Sequence, residues 1–212
     1  MSKTLYLWDL ADTLFLERWD SRKSGFPNFD AYIESLGFDL KTISPRDYEY
    51  AYERPYRKGL FDLDLAEHFE EVLGWTKNNA VFTTGNPEQM DWRAEQIVRK
   101  YGIDPRDYIR EVHSTFDYGN TNIKTEAMLK DILVKKLVAG YDTIVYTDNS
   151  RENCRFFLDA AKHLQDEGAN FKTRVYNINS NDSSLKWTEH QFFEIGDLNQ
   201  LLENEIKESK TD

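Results

Sequence analysis

The sequence predicts an α/β fold: a doubly wound, mostly parallel sheet with a small all-helical insert after its first strand. Three observations carry this expectation. From residue 79 onward, short apolar runs alternate with amphipathic stretches of helical period. That is the rhythm of strands joined by crossover helices, and therefore of parallel pairing. Residues 4–9, Thr-Leu-Tyr-Leu-Trp-Asp, form a nearly unbroken apolar run ending in an acid, as a strand covered by helices on both faces does. The stretch 17–76 that follows is too long for an ordinary strand-to-helix connection and reads as a lid over the strand ends.

Element by element, the polar residues 17–28 read as a loop, and a helix is expected from Asn28 with Phe29, Tyr32, Ile33 and Leu36 on one face and Gly37 as its stop. Ser44-Pro45 opens a second helix, an N-cap followed by proline in the first turn. A third is expected over 63–73, ended by Gly74. Residues 80–84 read as a strand, and Asn86-Pro87 starts a helix that Gly102 closes. A strand over 108–114, a helix over 124–138 and a strand over 143–147 follow. A helix over 150–167, strands at 172–178 and 192–195, and a helix over 198–206 complete the chain. The domains read as a core of 1–16 and 77–212 with a helical lid of 17–76.

A net charge of −11 excludes the electropositive face that nucleic acid requires. No apolar run is long enough to span a bilayer, and the first residues lack the apolar stretch of a signal peptide. With Cys154 as the single cysteine, a soluble cytoplasmic protein without disulfides is expected. His68, His113, His163 and His190 are scattered without zinc-ligand spacing.

In an open parallel sheet, ligands sit beyond the carboxyl ends of the strands. The predicted strand ends carry Asp9, Thr83-Thr84 and Asp148, and Lys124 opens the helix before the strand that ends at Asp148. Carboxylates bind magnesium and can attack phosphorus, while a hydroxyl and an ammonium hold phosphate oxygens. These motifs resemble, in order, those of the haloacid-dehalogenase-like superfamily. They are Leu7-Trp8-Asp9-Leu10-Ala11-Asp12-Thr13-Leu14, Ala80-Val81-Phe82-Thr83-Thr84-Gly85-Asn86, Lys124, and Val145-Tyr146-Thr147-Asp148-Asn149-Ser150-Arg151-Glu152.

The resemblance implies an aspartyl-phosphate chemistry on a small phosphorylated substrate, with Mg2+ as cofactor. Asp9 would be the nucleophile, Thr84 would bind the transferring group and Lys124 would neutralise its charge. Asp9, the Ala11 carbonyl, Asp148 and Glu152 would hold the metal. Thr13, Gly85 and Asn86 would contact the substrate, and Arg54, Arg57 and Lys58 would grip its phosphate or carboxylate.

One departure stands out. The family's general acid in the first motif is Ala11 here, and Asp12 points elsewhere along the chain. Loss of general acid–base catalysis is worth ~10²–10⁴ in rate. Three readings follow: a hydrolase whose acid comes from elsewhere, with His113 as a candidate, or whose leaving group needs none; a phosphonoacetaldehyde-hydrolase-like enzyme using a lysine such as Lys58; or a magnesium- and phosphate-binding relative without turnover.

Overall fold

The computed structural model describes residues 3–119, 123–178, 186–189 and 192–210, with backbone alone for 186–189. His190 and the last two residues of the acidic tail lie outside this set. The first strand, β1 (Thr4–Trp8), lies inside the main sheet. On one side lie β4 (Asn79–Thr83) and β5 (Ile109–Ser114), and on the other β6 (Thr143–Asp148), β7 (Lys172–Ile178) and β9 (Phe192–Ile195), all parallel. An unexpected strand, β8 (Lys186–Glu189), closes the edge antiparallel to β9. The chain builds outward from β1 through β4 and β5, then returns to β6 on the opposite side. The topological switch therefore falls between β1 and β6, where open α/β sheets place their ligands.

Helices cover both faces. On one face lie α4 (Phe69–Thr76), α5 (Gln89–Tyr101) and α8 (Leu198–Glu208), and on the other α6 (Glu126–Val138) and α7 (Arg151–Asp166). The side chains of β1 alternate between two apolar clusters: Tyr6 and Trp8 pack with Leu73, Ile97 and Leu201, whereas Leu5 and Leu7 pack with Leu129, Leu133 and Phe157. Burial on both faces is why this strand reads as continuously apolar.

The insert departs from the all-helical expectation. β2 (Phe15–Trp19) and β3 (Phe61–Leu65) form an antiparallel ribbon, with Phe15 opposite Leu65 and Trp19 opposite Phe61. Between them run α1 (Ser21–Ser24), α2 (Phe29–Ser35) and α3 (Pro45–Arg57). Two expectations fail here. Residues 17–28 are not simply a loop, because they contain the end of β2 and all of α1. The helix expected over 63–73 begins at Phe69, after His68 takes a left-handed turn at φ 64°. The pattern Phe61-Asp62-Leu63-Asp64-Leu65 has period two, although Leu65 also falls on the helical spacing of Phe69, Val72 and Leu73.

An aromatic cluster fastens the helices to the ribbon. The Trp19 ring lies 5.4 Å from Phe29 and 5.2 Å from Phe61, and Tyr56 stacks on Phe61 at 4.5 Å. Tyr56 and Phe61 belong to the same buried cluster as Trp8 and Ile97, so the apolar interior runs from sheet to insert without a break. Among the described residues no helix is long and apolar enough to cross a membrane.

Candidate active site

Strand ends bring the first group of residues together. Asp9 follows β1 and Asp148 ends β6; the two strands are paired up to Trp8 opposite Thr147, and the Asp9 N–H donates to the Thr147 carbonyl at 2.8 Å. The Lys124 side chain, fully buried just ahead of α6, reaches both acids: its ammonium donates to Asp9 Oδ1 at 2.5 Å and to Asp148 Oδ2 at 2.7 Å. Thr13 ties the two strand ends together. Its hydroxyl donates to Asp9 Oδ2 at 3.3 Å and accepts the Asn149 N–H at 3.1 Å.

Asp148 is the more heavily bonded acid. It accepts from Tyr146 Oη at 2.6 Å, the Ser150 N–H at 2.7 Å and Asn153 Nδ2 at 3.1 Å. Burial pushes the Asp9 carboxyl up to about 6; the Lys124 charge opposes this and the Asp148 charge adds to it. Burial would lower the Lys124 ammonium, but the charges of Asp148 and Asp9 outweigh it and leave a net rise. The Lys124 rise expresses a cation locked between two acids, and the Asp9 rise expresses the cost of charging a carboxyl in a low-dielectric site.

The second group comes from the insert and α5. A cavity of about 340 Å³ has Asp9, Ala11, Thr83 and Thr84 on its sheet side. Tyr48, Glu49 and Tyr52 of α3 line its other side, together with Gln89 and Arg93 of α5. Spacings of three and four residues put each set on one helix face. These polar groups form a chain. Arg93 donates to Glu17 Oε1 at 2.5 Å and to Gln89 Oε1 at 2.9 Å, and Gln89 Nε2 donates to the Glu49 carboxylate at 2.9 and 3.0 Å. Tyr52 Oη donates to Glu17 Oε2 at 2.8 Å. Burial raises the Glu49 carboxyl, although its hydrogen bonds from Gln89 and Asn86 pull the other way.

Sequence reasoning missed Glu17, Tyr48, Glu49, Tyr52, Gln89, Arg93, Tyr146 and Asn153. Gln89 and Arg93 left a trace, as polar residues four apart on the apolar face of α5 beside Met90, Trp92 and Ala94.

The expected site residues separate as follows. Asp9, Ala11, Thr13, Thr84, Lys124 and Asp148 converge. Gly85 is buried beside them, where an added Cβ would run into the Glu49 carboxylate and the Gln89 amide. Asn86 does not line the cavity; its side chain accepts the Glu88 N–H at 2.9 Å and shapes the turn into α5. Glu152 is exposed, and its neighbour Asn153 is the side chain that reaches Asp148. Arg54, Arg57 and Lys58 are also exposed and do not line the cavity. Arg57 pairs with Glu53 at 2.6 Å and lies over Trp92. They sit in the last turn and C-cap of α3, downstream of Tyr48, Glu49 and Tyr52. His113 packs beside Glu111 at 3.4 Å, away from the cavity lining, and burial lowers its imidazole. Asp12, at φ 54°, lines a neighbouring cavity of about 650 Å³ with Thr13 and Asp197.

Solved structures share this architecture. The UTR4 protein of Saccharomyces cerevisiae superposes with a TM-score of 0.53 at 13% identity, over 90% of this chain and 97% of that one. The HAD family enzyme BT-2542 of Bacteroides thetaiotaomicron superposes with a TM-score of 0.51 at 13% identity, over 86% and 96%. The fold is that of the haloacid-dehalogenase-like (HAD) enzymes. No family model and no curated protein matches the sequence. Within the HAD-like fold, Asp9 and Asp148 stand at the switch between β1 and β6. Among the described residues, no group of three or more His, Cys, Asp or Glu converges as a ready-made metal cluster.

Proposed function

We propose that the chain is a magnesium-dependent HAD-like hydrolase that acts on a small phosphorylated metabolite through an aspartyl-phosphate at Asp9. The observation that carries this reading is the buried Lys124 ammonium held between Asp9 and Asp148, with Asp9 facing the cavity. Two carboxylates against one ammonium leave a surplus negative charge on hard oxygens. Mg2+ binds through one or two carboxylates and completes its shell with water and substrate phosphate oxygens, so this donor set fits it. Asp9, Asp148 and the Ala11 backbone carbonyl would hold the ion, and Glu152 stands outside the set. Bound there, the metal would draw off negative charge from the phosphoryl oxygens.

In the first step an Asp9 oxygen attacks phosphorus while the bond to the leaving oxygen breaks. Lys124 offsets the charge gathered around Asp9, and Thr84 holds a phosphoryl oxygen from the end of β4. Water then attacks the aspartyl-phosphate and restores the Asp9 carboxylate. Residues 17–76 act as the lid: Tyr48 and Tyr52 shield the cavity from bulk water and bound the leaving group.

The test is steady-state hydrolysis of p-nitrophenyl phosphate, acetyl phosphate and sugar phosphates, with Mg2+ and with EDTA. Turnover is expected only with the metal and is expected to vanish in Asp9→Asn. Equal turnover by the pure variant would remove Asp9 from the nucleophile's role. Silence of the native chain with Mg2+ still bound would favour a phosphate-binding protein without turnover.

A further inference from the structure

We propose that Glu49, delivered by the insert helix α3, is the general acid and base that Ala11 cannot be. This inference rests on the hydrolase reading above and assigns a side chain outside the four motifs to its proton transfers.

The first observation is position. Glu49 lies 38 residues beyond Ala11 in sequence yet lines the same cavity as Asp9, Ala11 and Thr84. Its carboxylate sits so close to Gly85 that a single added Cβ would meet it. It therefore stands at the Thr84–Gly85 corner where the phosphoryl group is to be held. The second observation is partnership. The other acids bonded within the site are tied to cations, Asp9 and Asp148 by Lys124 and Glu17 by Arg93. Glu49 instead accepts from a neutral amide: both its oxygens face Gln89 Nε2. The third is orientation. Gln89 cannot turn its amide freely, because its Oε1 accepts from Arg93, and Arg93 is anchored on Glu17. That chain fixes the carboxylate while leaving it free of an ion pair that would hold it permanently deprotonated. Burial favours the protonated form as well.

The proton balance closes. As Asp9 bonds to phosphorus, the leaving oxygen takes the electron pair of its broken bond to phosphorus and the Glu49 proton, departing as an alcohol. Glu49, now a carboxylate, removes a proton from the water that attacks phosphorus. The Asp9–phosphorus bond breaks, phosphate leaves, and Glu49 is again protonated.

The discriminating experiment compares the native chain, Glu49→Gln and Glu49→Gln/Ala11→Asp on an alkyl phosphate and on p-nitrophenyl phosphate, by burst and steady-state kinetics. Glutamine preserves the shape and can accept from Gln89 but carries no exchangeable acid proton. Glu49→Gln is expected to lower kcat for the alkyl ester by ~10²–10⁴. With p-nitrophenyl phosphate, whose leaving group needs no proton, it should still release a burst of p-nitrophenolate and then slow at hydrolysis of the aspartyl-phosphate. Aspartate at position 11 is expected to restore alkyl-ester turnover. Undiminished alkyl-ester turnover in Glu49→Gln would overturn the assignment while leaving the hydrolase reading intact. So would an equal loss on both esters without a burst, which would make Glu49 a positioning or packing residue. Silence of the native chain on both esters and on acetyl phosphate would overturn both readings.

Discussion

At the scale of single residues, the site is governed by how buried charges are balanced. Lys124 is fully buried between Asp9 and Asp148. Removing one partner from such a cluster costs about 3–5 kcal/mol, because the remaining charges stay desolvated without compensation. Lys124→Met is therefore expected to melt well below the native chain in EDTA. Mg2+ should raise its melting temperature by more than it raises that of the native protein, since a cation that binds only the folded state stabilises it. A Lys124→Met variant as stable as the native chain, or one indifferent to Mg2+, would contradict the charge balance inferred for the pair.

Glu49 supplies a second test at this scale. Its carboxyl is raised by burial, with Gln89, the Asn86 N–H and Arg93 of α5 opposing the rise and Glu53 of its own helix adding to it; Tyr48 stands beside it in the cavity wall. A group raised on folding contributes stability below its unfolded value, and that contribution is lost as pH rises through the folded value. Replacing it by glutamine removes the loss. Thermal melts of Glu49→Gln should match the native chain in acid and exceed it increasingly toward neutral pH. The opposite trend would mean that the native fold stabilises the carboxylate.

At the scale of elements, a buried ion pair helps join the insert to the sheet layer. Glu17 on β2 and Arg93 on α5 have side chains 6% and 2% exposed and meet at 2.5 Å. Arg93 also lies over the Tyr56 ring at 5.0 Å. Arg93→Met leaves Glu17 buried and unpaired and is expected to cost about 3–5 kcal/mol in urea unfolding. Adding Glu17→Gln should recover most of that loss, because the pair is removed together. Simple addition of the two losses would show that the pair does not act as a unit. At this scale the sequence is least legible. The period-two signal of β3 is only five residues long, and its partner β2 is equally short. A two-stranded ribbon of this size holds its shape only when something packs on it, and here that is the aromatic face of α2 and α3.

For the whole molecule, the continuity of the interior matters more than its division into segments. Trp8 on β1 is completely buried, Trp19 belongs to the insert ribbon, and the apolar cluster that contains Trp8 has Trp19 packed against it. With no polar break between them, sheet and insert should unfold as one cooperative unit. Tryptophan fluorescence and far-ultraviolet circular dichroism are expected to give coincident urea transitions. Two separated transitions would mean that the insert melts as an independent body, despite the shared core. The same continuity holds α3 in place: the rings of Tyr52 and Tyr56 pack on Phe61, and Tyr48, Glu49 and Tyr52 line the cavity.

By itself the sequence determined the parallel sheet and the acids, threonine and lysine at the ends of its elements. Those features are local: an apolar run, a helical period, a cap, and one polar residue where the run stops. Asp9, Thr84, Lys124 and Asp148 could be named because each sits at such a boundary. Only the tertiary structure decided which groups face them. Glu49 meets Gln89 across 40 residues, and Arg93 meets Glu17 across 76. Nothing in the period of either segment encodes the pairing. The same holds for Asn153, which reaches Asp148 where Glu152 was expected: one step along a helix turns a side chain by about 100°, and only the packing of α7 against the sheet selects which of two adjacent residues points inward.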